Sequence, residues 1–129
     1  MDYISTRDAS AQPRSFTDIL LTGLSPDGGL FMPAVYPSIT PELLNEWREL
    51  LLHDGYAALA AEVLKLYVDD IPEADLEAIA RRAYRTPVFA DEEIVPETRL
   101  NDTLHIGHLS EGPTAAFKDM AMQLLGELF

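Results

Sequence analysis

The sequence predicts a chain of mixed α/β class with α+β character. Residues 1–100 read as a small, mainly helical unit with short strands, and residues 101–129 as a strand, a turn and a helix. Three observations predict this. Apolar residues recur at helical spacing in three successive segments between residues 40 and 85. Strand-like runs at Tyr3–Thr6 and Leu30–Met32 are short, the second following a Gly turn and cut off by Pro33. After residue 102 the pattern changes from alternation to a 3.6-residue stripe.

Taken in order, Tyr3-Ile4-Ser5-Thr6 is the first short strand. Ser15 followed by Asp18 supplies an N-cap with an acid in the first turn, and the helix it opens carries Ile19, Leu20 and Leu21 up to a stop at Gly23. Ser25-Pro26-Asp27-Gly28-Gly29 is the strongest turn signal, because Pro fixes φ and glycine reaches positive φ without a Cβ clash. Leu30-Phe31-Met32 then reads as a strand ended by Pro33. Thr40-Pro41-Glu42 opens a helix bearing Leu43, Leu44, Trp47, Leu50 and Leu51. A second helix over 56–68 carries Ala60, Val63, Leu64 and Tyr67. A third begins at Pro72 and presents Leu76, Ile79, Ala80 and Ala83, with Arg81, Arg82 and Arg85 near its C-terminus. By default all three apolar stripes face a core. Residues 86–102 hold two prolines and several acids and read as a connecting loop. Residues 103–109 alternate like a strand, 110–114 turn, and 115–128 form a helix with the stripe Phe117, Met120, Ala121, Leu124, Leu125, Leu128.

Composition narrows the function. The 129 residues allow one ordinary domain, or a small domain plus a piece of another. A formal charge of −13 disfavours nucleic acid and anionic membrane as partners, because phosphate contacts would be repulsive. No cysteine is present, which excludes disulfides, thiolate metal sites and cysteine nucleophiles. The chain lacks an apolar run of membrane-spanning length, and its first residues lack the pattern of a signal peptide, so a cytoplasmic protein is expected. No metal site is expected either: on a strand His105 and His108 point to opposite faces, and His53 lies elsewhere. Asp91, Glu92, Glu93 and Glu97 lack the spacing and glycine of a calcium loop.

Lys118 is the residue that composition does not explain. It stands at the start of the last helix, where the helix dipole disfavours a cation, and its helical neighbours Ala121, Met122 and Leu125 border the apolar stripe. Both effects disfavour the ammonium form, and a neutral lysine amine is the nucleophile of Schiff-base chemistry. The same turn offers free helix N–H groups to an anion. A surface lysine paired with Asp119, Glu111 or Glu127 is the competing reading. A P-loop lysine is excluded, since G-x-x-x-x-G-K-[ST] is absent.

Gly112-Pro113-Thr114-Ala115-Ala116-Phe117-Lys118-Asp119 resembles the cofactor-attachment motif of the threonine synthases, enzymes that use pyridoxal 5'-phosphate. Tyr3-Ile4-Ser5-Thr6-Arg7 looks like the start of the longer members of that family, and the run from Gly23 to Pro33 looks like their second signature. Asp8 stands where the family usually has Gly, and Glu111 where it commonly has His or Asn. The resemblance implies that residues 1–100 form the family's N-terminal domain. Residues 101–129 would then open a catalytic domain of fold type II whose remainder carries the phosphate-gripping loop and most of the substrate site. It implies an N-terminal fragment, inactive by itself, of an enzyme converting O-phospho-L-homoserine and water into L-threonine and phosphate. Lys118 would hold the cofactor and then move protons, with Phe117 and Thr114 shaping its surroundings; Arg7 would be either a substrate-phosphate ligand or a surface residue. Another fold type II enzyme, such as a serine or threonine dehydratase, and a non-enzymatic helical interaction module are the rivals; the motifs before Gly112 speak against the dehydratase. The stripe of the last helix, uncovered in a fragment, would fold back, fray or pair with another chain, and self-association is the expectation.

Overall fold

The computed structural model describes residues 1–8, 10 and 12–129. Strand β1 (Tyr3–Ser5) pairs antiparallel with β2 (Phe31–Pro33), with Ile4 opposite Met32. The second strand is displaced by one residue from the sequence expectation and takes in Pro33, opposite Tyr3. A proline without an N–H is tolerated there because Tyr3 exchanges both of its backbone bonds with Arg14, at 2.9 and 3.0 Å, on its other side. Between these strands, α1 (Phe16–Thr22) is capped as its sequence predicts: Ser15 accepts from the Asp18 N–H, and the Gly23 N–H returns to the Ile19 carbonyl. Asp70 adds a second cap, accepting from the Thr17 N–H at 2.8 Å and its hydroxyl at 2.7 Å.

The first two sequence signatures fold onto each other. Ser5 Oγ donates to the Asp27 carboxylate at 2.7 and 2.9 Å, the Gly29 N–H donates to Asp27 at 2.8 Å, and the Leu30 N–H donates to Thr6 Oγ1 at 3.0 Å. A Cβ at Gly29 would lie 2.3 Å from Ser5 Oγ, so this turn is built around a missing side chain. These bonds, led by the Ser5 hydroxyl and the Gly29 N–H, hold the Asp27 carboxyl below its usual range.

Helices α2 (Pro41–Asp54), α3 (Tyr56–Lys65) and α4 (Glu73–Ala83) follow in succession. The Thr40 hydroxyl caps α2 by accepting from the Leu43 N–H at 3.2 Å. Gly55, at φ +82°, ends α2 and starts α3, a left-handed conformation that suits glycine. The stripe of α4 is buried in full, at Leu76, Ile79, Ala80 and Ala83. That of α2 is not. No residue of α2 is buried, and Leu44, Leu51 and Leu52 are exposed, because this outer helix packs principally on α3.

The core lies where α3 and α4 meet the segment that follows them. Ala61, Ala80, Ala83, Tyr84, Phe89 and Ile94 form its buried cluster, and alanines on both helices let the backbones approach closely. Phe89, fully buried, and Ile94 belong to the stretch read as a plain loop. That stretch also contains a strand, β3 (Glu97–Arg99), paired antiparallel with β4 (His105–Gly107) in the register Thr98 opposite Ile106. On opposite faces of this hairpin, His105 bonds Glu97 and His108 bonds Thr98, the latter at 2.7 Å. The last helix, α5 (Asp119–Leu128), packs on α4 and sets Met120 and Leu124 against the core. Arg82 on α4 joins Glu127 on α5 at 2.5 Å. Among the described residues, no helix is long and apolar enough to cross a membrane.

Candidate cofactor-attachment site

Residues 110–119 form a tight turn ahead of α5. The Ala90 N–H donates to the Glu111 carbonyl at 2.8 Å and ties the turn to the core segment. The Ala115 N–H closes onto Gly112 at 3.0 Å, with Ala115 itself at φ +52°. The Asp119 N–H then bonds Ala116, and the Met120 N–H bonds Phe117. The helix therefore begins four residues later than its apolar stripe implies, and residues 115–118 enter it through successive short turns. Phe117 consequently leaves the stripe and is 73% exposed.

Lys118 is the N-cap residue of α5 and is exposed. The N–H groups expected to receive an anion are already engaged, since those of Asp119, Met120 and Ala121 donate to Ala116, Phe117 and Lys118. Two of the three partners a surface lysine would use are engaged as well. Asp119 is bound by Thr114 and Glu127 by Arg82, and Lys118 forms no ion pair among the described residues. The other lysine, Lys65, is held by Glu62 at 2.6 Å, Glu77 at 2.9 Å and Glu73 at 3.6 Å. These carboxylates raise its pKa, led by the Glu62 and Glu77 hydrogen bonds, and keep it an ammonium ion. Of the two lysines in the chain, Lys118 alone has an amine free of such pairing among the described residues.

Two residues fix this turn and the start of α5. Asp119 is 1% exposed and accepts from the Thr114 N–H at 2.7 Å and from the Thr114 hydroxyl at 2.9 Å on each oxygen. Burial pushes its carboxyl up, but the Thr114 N–H and hydroxyl and the Ala116 backbone outweigh it, so its pKa lies below the ordinary 3.8. Tyr84, at the end of α4, donates its hydroxyl to the Met120 carbonyl at 2.8 Å. Lys118 thus precedes two consecutive anchored residues, one tied to its own turn and one to the helical core.

A family described as Threonine synthase N terminus matches residues 2–84, nearly the whole strand pair and helical core. The chain belongs to the threonine synthase N-terminal family. It is 66% identical over all 129 residues to a threonine synthase of Corynebacterium glutamicum and covers 27% of that protein. It is 46% identical to one of Methylobacillus glycogenes, covering all of this chain and 28% of the relative. Among solved structures it is similar to a PLP-bound threonine synthase of Brucella melitensis, with a TM-score of 0.85 and 39% identity over 99% of this chain and 26% of that one. A yeast threonine synthase gives the same TM-score at 38% identity, over 99% of this chain and 25% of that one. The chain spans about a quarter of the length of these relatives. Its α/β architecture is that of their matching region.

Proposed function

We propose that this chain supplies the first quarter of a cytoplasmic, pyridoxal-phosphate-dependent threonine synthase, a lyase converting O-phospho-L-homoserine and water into L-threonine and phosphate. One observation carries the reading: within a chain of this family, the Gly112–Asp119 turn holds out a lysine whose amine is unpaired among the described residues. Residues 1–100 serve as the N-terminal domain and residues 101–129 open the catalytic one.

The donor set fits an aldehyde cofactor, since the group required is an exposed primary amine and Lys118 provides it. When bound, pyridoxal phosphate supplies the electron sink for carbanion chemistry beside the substrate amine. Lys118 supplies the attachment point. Its Nζ, when not engaged by the cofactor, would be the group on this chain available to take and return protons during loss of phosphate and addition of water. Phe117, with its ring exposed next to Lys118, and Thr114, across the turn, shape the approach to Nζ.

The test is phosphate release from O-phospho-L-homoserine by the full-length protein and by its Lys118→Ala variant, with the 129-residue chain in parallel. The proposal expects turnover only in the full-length wild type. Turnover by the Lys118→Ala protein would remove Lys118 from the chemistry. Turnover by the 129-residue chain would overturn the division of labour between this quarter and the rest.

A further inference from the structure

Asp119 is an acidic side chain buried to 1% exposure in a chain whose other acids are mostly on the surface, and the chemistry assigned to Lys118 makes no use of it. Its environment is specific. Both carboxylate oxygens accept from Thr114, which lies on the far side of Lys118 in the turn. A Cβ built at Gly112 would sit 2.4 Å from Asp119 Cβ and 2.7 Å from Oδ2, so the carboxylate fits beneath the turn only because residue 112 is glycine. Ala115, inside the loop, holds φ +52°, a conformation an L-residue keeps only where its surroundings enforce it. Gly112, Thr114, Ala115 and Asp119 therefore form one closed unit, and Lys118 lies within it.

We propose that Asp119 is a positioning residue. By stapling Thr114 to the first residue of α5, it fixes the backbone on both sides of Lys118 and so fixes where Nζ is presented. This rests on the reading of Lys118 as the cofactor-attachment lysine. A carboxylate suits the task because it accepts only, and the turn offers it two donors on one residue. Asparagine keeps one acceptor oxygen for the Thr114 N–H and should keep part of the clamp; alanine keeps none.

The experiment uses the full-length protein with pyridoxal phosphate as the probe. The rate of cofactor attachment is read by borohydride trapping and peptide mass spectrometry at Lys118. Amide exchange at Thr114 and thermal unfolding are followed in parallel. Asp119→Ala should attach cofactor at Lys118 about 10- to 100-fold more slowly, the range expected when a reacting group is misplaced by about 1 Å. The Thr114 amide should exchange faster, and Asp119→Asn should fall between wild type and Asp119→Ala. A residue with a merely structural role would change unfolding without changing the attachment rate of the folded protein. Thr114→Val keeps the backbone donor and removes the hydroxyl, and should slow attachment to a smaller degree; it decides the matter if Asp119→Ala does not fold. Wild-type attachment in a folded Asp119→Ala protein, or in Thr114→Val where that protein cannot be made, overturns the proposal. Wild-type protein that is not modified at Lys118 overturns the reading of the lysine instead, so the two failures are separable.

Discussion

Removing one oxygen atom, by Tyr84→Phe, tests whether the helical core holds the helix that follows Lys118. The Tyr84 ring is 9% exposed and packs edge-on against Tyr56 at 5.0 Å and against Phe89 at 6.0 Å. Phenylalanine keeps those contacts and loses only the hydroxyl that donates to the Met120 carbonyl at 2.8 Å. A neutral hydrogen bond contributes about 0.5–1.5 kcal/mol net, so the substitution should cost about 1 kcal/mol. Truncation to alanine would also remove the ring and cost about 3–5 kcal/mol, obscuring the effect of the bond. Urea unfolding should show the loss as a lower midpoint at unchanged slope. Amide exchange locates it: α5 should open about fivefold more often, the equivalent of about 1 kcal/mol, while α2 and the β1–β2 pair stay as in wild type. An unchanged midpoint, or exchange raised equally in every helix, would show that the bond does not anchor α5.

Three further expectations follow from the same contacts. Because the folded-state pKa of Asp119 lies below its ordinary 3.8, the stability it contributes is complete above that pH and is lost as pH falls through the lower folded value. The gap in urea midpoint between wild type and Asp119→Asn should therefore close in acid, and a gap that is constant down to pH 2 would contradict the assignment. Gly29→Ala forces a Cβ to 2.3 Å from Ser5 Oγ and should cost about 1–3 kcal/mol. Gly126→Ala, with open space at that position within α5, should stabilise by about 0.5–1 kcal/mol; equal effects in unfolding experiments would refute the packing described at the two glycines. Self-association of the 129-residue chain, where it occurs, should run through the uncovered face of α5, where Met122 and Phe129 are exposed. Sedimentation of Met122→Lys/Phe129→Lys at high salt should show less dimer than wild type, and an unchanged association constant would place the contact elsewhere.

The early part of the fold was legible because its signals are local. Ser15 and Thr40 cap the helices that their sequence context predicts, and Gly23 and Gly55 end them at positive φ. The stripe of α4 faces the core because two neighbours, α3 and α5, cover it. Legibility failed where the outcome depended on distant partners. Nothing in the sequence of α2 says that its leucines will be covered principally by one helix, α3. Strand β3 is exposed on both faces, so it has no alternation to read and exists through its pairing with β4. Phe89 and Ile94 lie among acids and prolines that read as loop, although the apolar pairs Val88-Phe89 and Ile94-Val95 were the available signal.

At the candidate site, the sequence singled out the lysine and not the contacts around it. Lys118 stood out through its motif, but the bond that buries Asp119 did not, because its donor, Thr114, is reached through a turn rather than a helical repeat. The same turn delays the helix and moves Phe117 off the apolar stripe, so the stripe divides. Met120 and Leu124 fold back on the core and Phe117 is exposed, as are Met122 and Phe129, which lie outside the stripe. For that reason a charge placed at Leu124 would test the core rather than association.

The central claim is that Lys118 is the lysine that carries the cofactor. Full-length protein incubated with pyridoxal phosphate, reduced with borohydride and digested should yield a single modified peptide with the mass increment on Lys118. Lys65, held by three carboxylates, should remain unmodified. A modified Lys65 with Lys118 untouched, or no modification of either lysine in a folded protein, would contradict the account.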